Sequence, residues 1–289
     1  MEGIVIKKIA DSFVVKIHNE SYVLSPRGNL KKDGIFVGDN VIVNLTTKTI
    51  DKLLPRKNLL VRPTTANLSQ LIITVAPIPK PDFNVVDKLI LFCFAYDINP
   101  ILCVNKIDIA DEEFLNYVKS VYSNVCKIVF VSAKEKKNLE ELKHILSGHI
   151  SALTGQSAVG KSHLLSEIYQ NSNVEIGELS KKVARGKNTT RHTELYCLEE
   201  NTFLADTPGF SRLDERFLPI EYHKLRYYYP DFLPLHEKCK YTSCTHINEP
   251  EKECFVKLSV KQGNLDADRY ERYKTVYEIL KKEQTYAKK

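Results

Sequence analysis

At 289 residues, 43% apolar and 27% charged, the chain has the make-up of a soluble globular protein with room for two domains and a small third. No run approaches the ~20 uninterrupted apolar residues of a membrane span, and an odd seven cysteines argue against a fully paired disulfide framework and for a reducing compartment. The net charge of +6 leans mildly toward polyanions such as RNA, and Met1 to Lys8 lacks the apolar core of a secretory signal, so a cytoplasmic protein is expected.

Residues 1–63 carry short alternating runs. Ile4–Ile6, Ser12–Ile17, Ser21–Leu24 and Asn40–Leu45 read as strands, punctuated by Gly28, Asp33-Gly34 and Gly38-Asp39. Several short strands in about 60 residues predict a small barrel of the OB type. Arg27, Lys31, Lys32, Arg56 and Lys57 would meet phosphates if the barrel is a nucleic-acid platform. The same residues serve equally well as a solvated surface.

Residues 64–217 alternate strand and helix. Leu71–Ala76 reads as a buried strand and Val85–Asp97 as a helix apolar all round. Ile101–Val104 is a strand, Asp111–Tyr122 an amphipathic helix, Val125–Val131 a strand, Asn138–Leu146 a helix and Ile150–Thr154 a strand. Leu195–Leu198 and Thr202–Ala205 form a hairpin joined at Glu199-Glu200-Asn201. This repetition predicts a mostly parallel, doubly wound sheet with its ligand at the carboxyl ends of the strands.

The loops at those ends carry chemistry. In Asn105-Lys106-Ile107-Asp108, Asp108 can accept from both the ring N–H and the exocyclic amine of guanine, a donor pair adenine lacks. Asn105 would tie this loop to the phosphate loop and the base, and the Lys106 stem would cover the base. Ser132-Ala133-Lys134 supports it, with the Ala133 N–H offered to the guanine carbonyl. Gly155-Gln156-Ser157-Ala158-Val159-Gly160-Lys161-Ser162 has the form of a phosphate loop, whose glycines let backbone N–H groups surround phosphates at a helix N-terminus. Lys161 would bridge the β- and γ-phosphates and Ser162 would place its hydroxyl on Mg²⁺.

Asp206-Thr207-Pro208-Gly209 would put Asp206 on Mg²⁺ through a water and the Gly209 N–H on the γ-phosphate. A switch threonine is needed between these motifs, in Arg185 to His192. Thr189 or Thr190 can supply it; the sequence does not choose between them, and Thr190 is the expected magnesium ligand. The glycine and charges there predict a mobile loop that orders on the γ-phosphate. Ras-like GTPases follow the turn with a glutamine that orients the attacking water. Here Phe210 stands there, so intrinsic hydrolysis should be slow. His192 is a nearby candidate for the water, although a lone histidine in a basic loop is more often structural or RNA-facing.

Residues 218–289 are rich in tyrosine, charge and cysteine. Cys239-x4-Cys244-x-His246-x7-Cys254 offers three thiolates and an imidazole, a closed tetrahedral set for one structural Zn²⁺. Such a site would explain how a short module poor in apolar residues folds. Cys93, Cys103, Cys126 and Cys197 read as core. Tyr227-Tyr228-Tyr229 reads as packing material, and a polar helix runs from about Asp266 to Lys282.

The order of the motifs is the informative feature. Ordinary small GTPases present the phosphate loop first and the base readers last; here the two are exchanged. The expected architecture is α/β: a circularly permuted P-loop GTPase domain (64–217) binding GTP or GDP with Mg²⁺. An N-terminal OB-type β-barrel (1–63) precedes it and a C-terminal zinc-binding module (218–289) follows. The chain would run from Asp206–Phe210 directly into that module, so nucleotide state would bias the position of the C-terminal arm.

That order, with Arg56-Lys57-Asn58-Leu59-Leu60-Val61-Arg62-Pro63, Ala66-Asn67, Pro81-Asp82-Phe83, Arg185-Gly186-Lys187 and Cys239-Lys240-Tyr241, resembles the family of ribosome small subunit-dependent GTPase A (RsgA) over nearly the whole chain. The resemblance implies a late-acting assembly factor of the bacterial small (30S) ribosomal subunit that binds its rRNA, hydrolyses GTP on the subunit and leaves. It implies a monomer in the cytoplasm, slow alone and stimulated by the subunit, with other assembly factors as further partners and no membrane. The alternative is a regulatory GTPase whose flanking modules bind protein. Two departures from the family are visible. The seven residues between His246 and Cys254 exceed the usual spacing, and Ala158 replaces a more usual glycine, which the loop should tolerate if its φ is negative.

Overall fold

The computed structural model describes residues 1–28, 30, 34–61, 64–169, 194–206 and 218–286, apart from the side chains of residues 61 and 206. Strands β1 (Glu2–Ile9), β2 (Ser12–Ile17), β3 (Glu20–Pro26), β4 (Asn40–Asn44) and β5 (Thr49–Leu53) come first. They pair in the order β1-β2-β3-β5-β4, and β4 returns to β1, which closes a five-stranded barrel. Only β3 and β5 run parallel. Alternate residues point inward, so Val5, Phe13, Val15, Ile17, Leu24, Val41, Val43 and Ile50 fill the interior. β5 is a strand that alternation in the sequence does not reveal, because Thr49-Ile50-Asp51-Lys52-Leu53 offers apolar side chains at 50 and 53 alone. Ile50 is nevertheless fully buried. Among the basic residues of this part, Arg56 is not available to a phosphate: its guanidinium donates to both Asp39 carboxylate oxygens at 2.6 and 2.7 Å and to the Gly34 carbonyl. Arg27 and Lys57 remain exposed, while Lys31 and Lys32 lie outside the described residues.

A ribbon of β6 (Leu59–Val61) and β7 (Thr64–Ala66) leads into the α/β layer. This comprises β8 (Gln70–Val75), α1 (Phe83–Ala95), β9 (Asn99–Val104), α2 (Glu112–Tyr122), β10 (Lys127–Phe130), α3 (Leu139–Leu146), β11 (Ile150–Thr154) and α4 (Lys161–Ile168). The hairpin of β12 (Glu194–Glu199) and β13 (Thr202–Asp206) completes it. Strand order is β10-β9-β8-β11-β13-β12, parallel except for β12. From β8 the chain winds outward one way and from β11 the other, so the switch point, where such sheets bind ligands, lies between β8 and β11. Local chemistry starts the helices: the Asp82 carboxylate accepts from the Asn84 N–H, and that of Asp111 from the Phe114 N–H at 2.8 Å.

The last part holds α5 (Leu233–His236), α6 (Phe255–Lys261) and the long α7 (Ala267–Tyr286). Its core is aromatic, built on Tyr229, Phe232, Tyr270, Tyr273 and Tyr277 with Leu225, Val256 and Leu280. Tyrosine supplies the apolar surface that aliphatic residues do not. The tyrosine run divides: Tyr229 is buried and Tyr227 is half exposed. Leu91 of α1 belongs to this core, whereas Val86, Leu89, Ile90, Phe92 and Cys93 face the sheet. That is why α1 is apolar all round.

The same seam holds a buried charge network. Arg269 of α7, 2% exposed, donates to Asp87 of α1 at 2.7 Å and forks onto both Asp231 oxygens at 2.7 and 3.0 Å. Arg272 donates to the other Asp87 oxygen. The Arg269 guanidinium lies 4.9 Å from the Tyr229 ring centroid. Burial by itself would lower the Arg269 pKa, and the Asp87 and Asp231 carboxylates reverse that and raise it.

Candidate guanine-nucleotide site and metal centre

The loops after β8, β9, β10 and β11 meet at one edge of the sheet. Asn105, 2% exposed, joins three of them. Its backbone N–H donates to the Val75 carbonyl, its Nδ2 to the Val159 carbonyl at 2.8 Å, and its Oδ1 accepts from the Ala133 N–H at 3.2 Å. Lys106 takes a left-handed φ of 62°, which turns its stem across the phosphate loop. Its Nζ donates to the carbonyls of Ala158 (2.7 Å) and Ile78 (2.9 Å).

Asp108 accepts from the Ser132 hydroxyl at 2.6 Å, and Lys134 stands 4.0 Å away. The Ser132 hydrogen bond, the largest influence, holds the Asp108 carboxyl below its ordinary pKa. It is therefore ionised at neutral pH, the form that accepts from two guanine donors. The Ser132 Oγ in turn accepts from the Glu135 N–H at 3.0 Å, which fixes the direction of the hydroxyl.

The phosphate loop wraps the start of α4. A Cβ on Gly155 (φ 141°) would collide with the Thr74 carbonyl of β8, and one on Gly160 (φ 95°) with the Asn105 amide, so close approach requires glycine at both. The Lys161 Nζ donates to the carbonyls of Gly155 (2.8 Å) and Gln156 (2.7 Å) inside the loop. Burial pulls its pKa down. Phosphate oxygens in the loop would oppose that shift by favouring the charged form. Ser162 sits in the first turn of α4.

Ala158 has φ 66°, so the condition of a negative φ is not met. An L-residue in this region costs roughly 1–2 kcal/mol, of which glycine's greater chain entropy cancels about 0.5–1. Ala158→Gly is expected to stabilise the folded protein by about 0.5–1 kcal/mol in urea denaturation. An unchanged midpoint would mean that the loop relaxes around the methyl group.

The strand carrying Asp206 ends at the same edge, beside β11. Thr189, Thr190, His192, Gly209 and Phe210 lie outside the described residues. Two features had no sequence signal: the Ile78 carbonyl as a partner of Lys106, and the Ala133 N–H as a second partner of the Asn105 side chain.

In the C-terminal module the donor atoms of Cys239, Cys244, His246 and Cys254 lie within 4.8 Å of one another. The His246 Nδ1 is 3.8, 3.3 and 3.3 Å from the Sγ atoms of Cys239, Cys244 and Cys254. A tetrahedron with Zn–S of about 2.3 Å and Zn–N of about 2.0 Å has N···S edges of about 3.5 Å, so the residues fit the ion. Burial pushes the Cys244 and Cys254 thiols up, so a thiolate cluster here needs a cation at its centre. The long spacing before Cys254 is taken up by a 3-10 turn at Glu251–Glu253, leaving Cys254 buried in the cluster. The Phe255 N–H donates to the Cys239 Sγ at 3.3 Å, and the Tyr270 and Tyr273 hydroxyls donate to the His246 and Thr245 carbonyls, both at 2.6 Å.

An OB-like closed barrel, a doubly wound sheet with its base-reading loops ahead of its phosphate loop, and a Cys3His cluster define a circularly permuted GTPase. The family model described as RsgA GTPase matches residues 53–216. The small ribosomal subunit biogenesis GTPase RsgA of Ruminiclostridium cellulolyticum is 38% identical over 96% of this chain and 93% of its own length. That of Clostridium acetobutylicum is 38% identical over 94% and 95%. The crystal structure of YjeQ from Thermotoga maritima superposes with a TM-score of 0.79 at 31% identity, covering 96% of this chain and 98% of that one. YloQ, described as a circularly permuted GTPase, gives 0.78 at 26% identity over 97% and 95%. The chain belongs to the RsgA GTPase family and is a GTP-hydrolysing enzyme.

Proposed function

We propose that this GTPase acts late in maturation of the small ribosomal subunit, in the cytoplasm and as a monomer, binding rRNA through its barrel and leaving after hydrolysis. The observation that carries the reading is the permuted nucleotide site held between a small barrel and a Cys3His module. Its full-length relatives are named for that role. Among the described residues no helix is long and apolar enough to cross a membrane.

In this reading Asp108 reads guanine, the Ala133 N–H that donates to the Asn105 Oδ1 is shared with the guanine carbonyl, Asn105 aligns base loop and phosphate loop, and the Lys106 stem covers the base with Ser132 and Lys134 beside it. Residues 155–160 cradle the phosphates with their N–H groups. Lys161 neutralises charge between the β- and γ-phosphates, and Gly209 meets the γ-phosphate. Ser162, Asp206 and Thr190 (or Thr189) would hold Mg²⁺, which offsets phosphate charge as the β–γ bond breaks. Cys239, Cys244, His246 and Cys254 would hold one Zn²⁺. With phenylalanine at 210, the attacking water is oriented by His192 or by a group that the subunit supplies.

Purified small subunits are expected to raise GTP turnover, less so at high salt if phosphate attraction drives docking. Large subunits should not. Equal turnover with and without small subunits would defeat the assembly reading and favour a protein-directed regulator. Asp108→Asn is expected to lose preference for guanosine over xanthosine nucleotides by about 100-fold or more, because the amide donates where guanine also donates. Competition binding checks this, and an unchanged preference would remove Asp108 from the base.

A further inference from the structure

The turn after β10 is closed by its own backbone: Ser132 and Lys137 exchange N–H···O bonds of 3.2 and 3.0 Å. One end of this turn serves the base loop, through the Ser132 hydroxyl on Asp108 and the Ala133 N–H on the Asn105 Oδ1. The other end reaches α4. The Lys136 Nζ lies 2.9 Å from the Glu167 Oε2, and the Glu167 side chain is only 13% exposed. The Lys136 ammonium, the largest influence, holds the Glu167 carboxyl below its ordinary pKa, so the pair is ionic at neutral pH. The His163 Nε2, one helical turn earlier, is 3.6 Å from the other carboxylate oxygen. Lys136 itself has a left-handed φ of 53°. Glycine would suit that backbone better; what lysine adds is the ammonium that meets Glu167. Glu167 stands in the last turn of α4, whose first turn carries Lys161 and Ser162, about 9 Å away along the axis. Ala133 of the turn and Leu164, Leu165 and Ile168 of α4 belong to one buried core.

We propose that Glu167 is a positioning residue for guanine recognition, acting through Lys136, so that the helix that grips the phosphates also sets the place of the turn that serves the base. This rests on the pocket being a guanine-nucleotide site, as proposed above. The Ala133 N–H and the Asp108 carboxylate must each meet a base atom at hydrogen-bond distance, and a displacement of about 1 Å breaks such a contact. Asn105 ties the turn at its Ala133 end. Lys136 ties the far end, and it does so to the element that bears Lys161 and Ser162. Phosphates that seat α4 therefore help to seat the turn, and a bound base steadies α4 in return. The pair touches neither the phosphates nor the attacking water, so it acts on affinity and leaves the chemical step alone.

The test is calorimetry in magnesium buffer with GDP and with a non-hydrolysable GTP analogue, alongside turnover at saturating GTP. It uses the full chain, Glu167→Lys, Lys136→Glu, the reversed pair carrying both, and Lys136→Gly. Each single reversal sets like charges side by side and should weaken GDP and the analogue alike, by about five-fold or more. The reversed pair should regain most of that affinity. Lys136→Gly relieves the left-handed backbone, so it should keep or raise the melting temperature while affinity falls about two- to five-fold. Saturated turnover should stay within about two-fold of wild type throughout, the pattern of lost uniform binding. Variants that bind like the wild type overturn the proposal. So does a reversed pair that stays impaired, or turnover that falls in step with affinity, since the pair would then merely hold the fold together. A wild-type chain that binds neither nucleotide sinks the nucleotide-site reading and this proposal with it; wild-type binding with unaltered variants sinks the proposal alone.

Discussion

Removing the zinc proposed for the Cys3His cluster, by chelation or by Cys244→Ser, is expected to unfold the segment from Cys239 to Lys261 and to lower the melting temperature. The donor atoms sit where a tetrahedral ion needs them, and Cys244, His246 and Cys254 are buried. Structural zinc in small modules contributes roughly 10–16 kcal/mol of apparent binding energy, which acts as folding energy where no site exists in the unfolded chain. The aromatic core of Tyr229, Phe232, Tyr273 and Tyr277 gives this module support of its own. Loss should therefore be local: faster amide exchange at 239–261, weaker near-ultraviolet tyrosine signal, and a sheet that still binds guanine nucleotide. One equivalent of zinc per folded chain is expected by elemental analysis. A folded, metal-free protein with protected amides at 239–261 would remove the metal from the account.

Arg269→Met should cost about 3–5 kcal/mol, because it leaves the buried carboxylates of Asp87 and Asp231 without their cation. Both are less than one-tenth exposed, and Arg272 compensates only Asp87. The charges themselves are not what the fold requires. Replacing the set together, as Asp87→Asn, Arg269→Met, Asp231→Asn and Arg272→Gln, should recover much of the loss, since no charge of the network is then buried alone. Urea denaturation followed by tyrosine fluorescence checks both. If the single substitution costs less than about 1 kcal/mol, water reaches the network and the seam is looser than its geometry.

The parallel strands and most helices of the α/β layer are legible in the sequence because each is a local pattern: Leu71–Val75 and Ile150–Thr154 are short, apolar-rich runs broken only by Thr74, Ser151 and Thr154, and Asp111 caps an amphipathic helix. The nucleotide motifs are legible for a similar reason, since each contact surface is one short contiguous loop. What stayed hidden depends on partners far away in the chain. β5 is a strand because β3 and β4 flank it, not because Thr49–Leu53 alternates. Arg269 looks like one more solvated charge on a polar helix until Asp87, 182 residues earlier, comes to face it. Ala158, with φ 66°, sits in a loop whose carbonyls accept from Lys106 and Asn105, more than 50 residues earlier, so residue type did not indicate the sign of its φ. The three-way division at 63 and 217 reads composition, and the β6–β7 ribbon spans the first of those positions.

Asn105 makes the transposed gene order tolerable. Its single amide stitches the phosphate loop to the serine-alanine turn sideways, through atoms rather than through peptide linkage. A pocket fastened across its width is indifferent to where the polymer starts and stops. Nature can cut such a domain at one place and splice it at another, and the two freed ends become attachment points, one for each appended module.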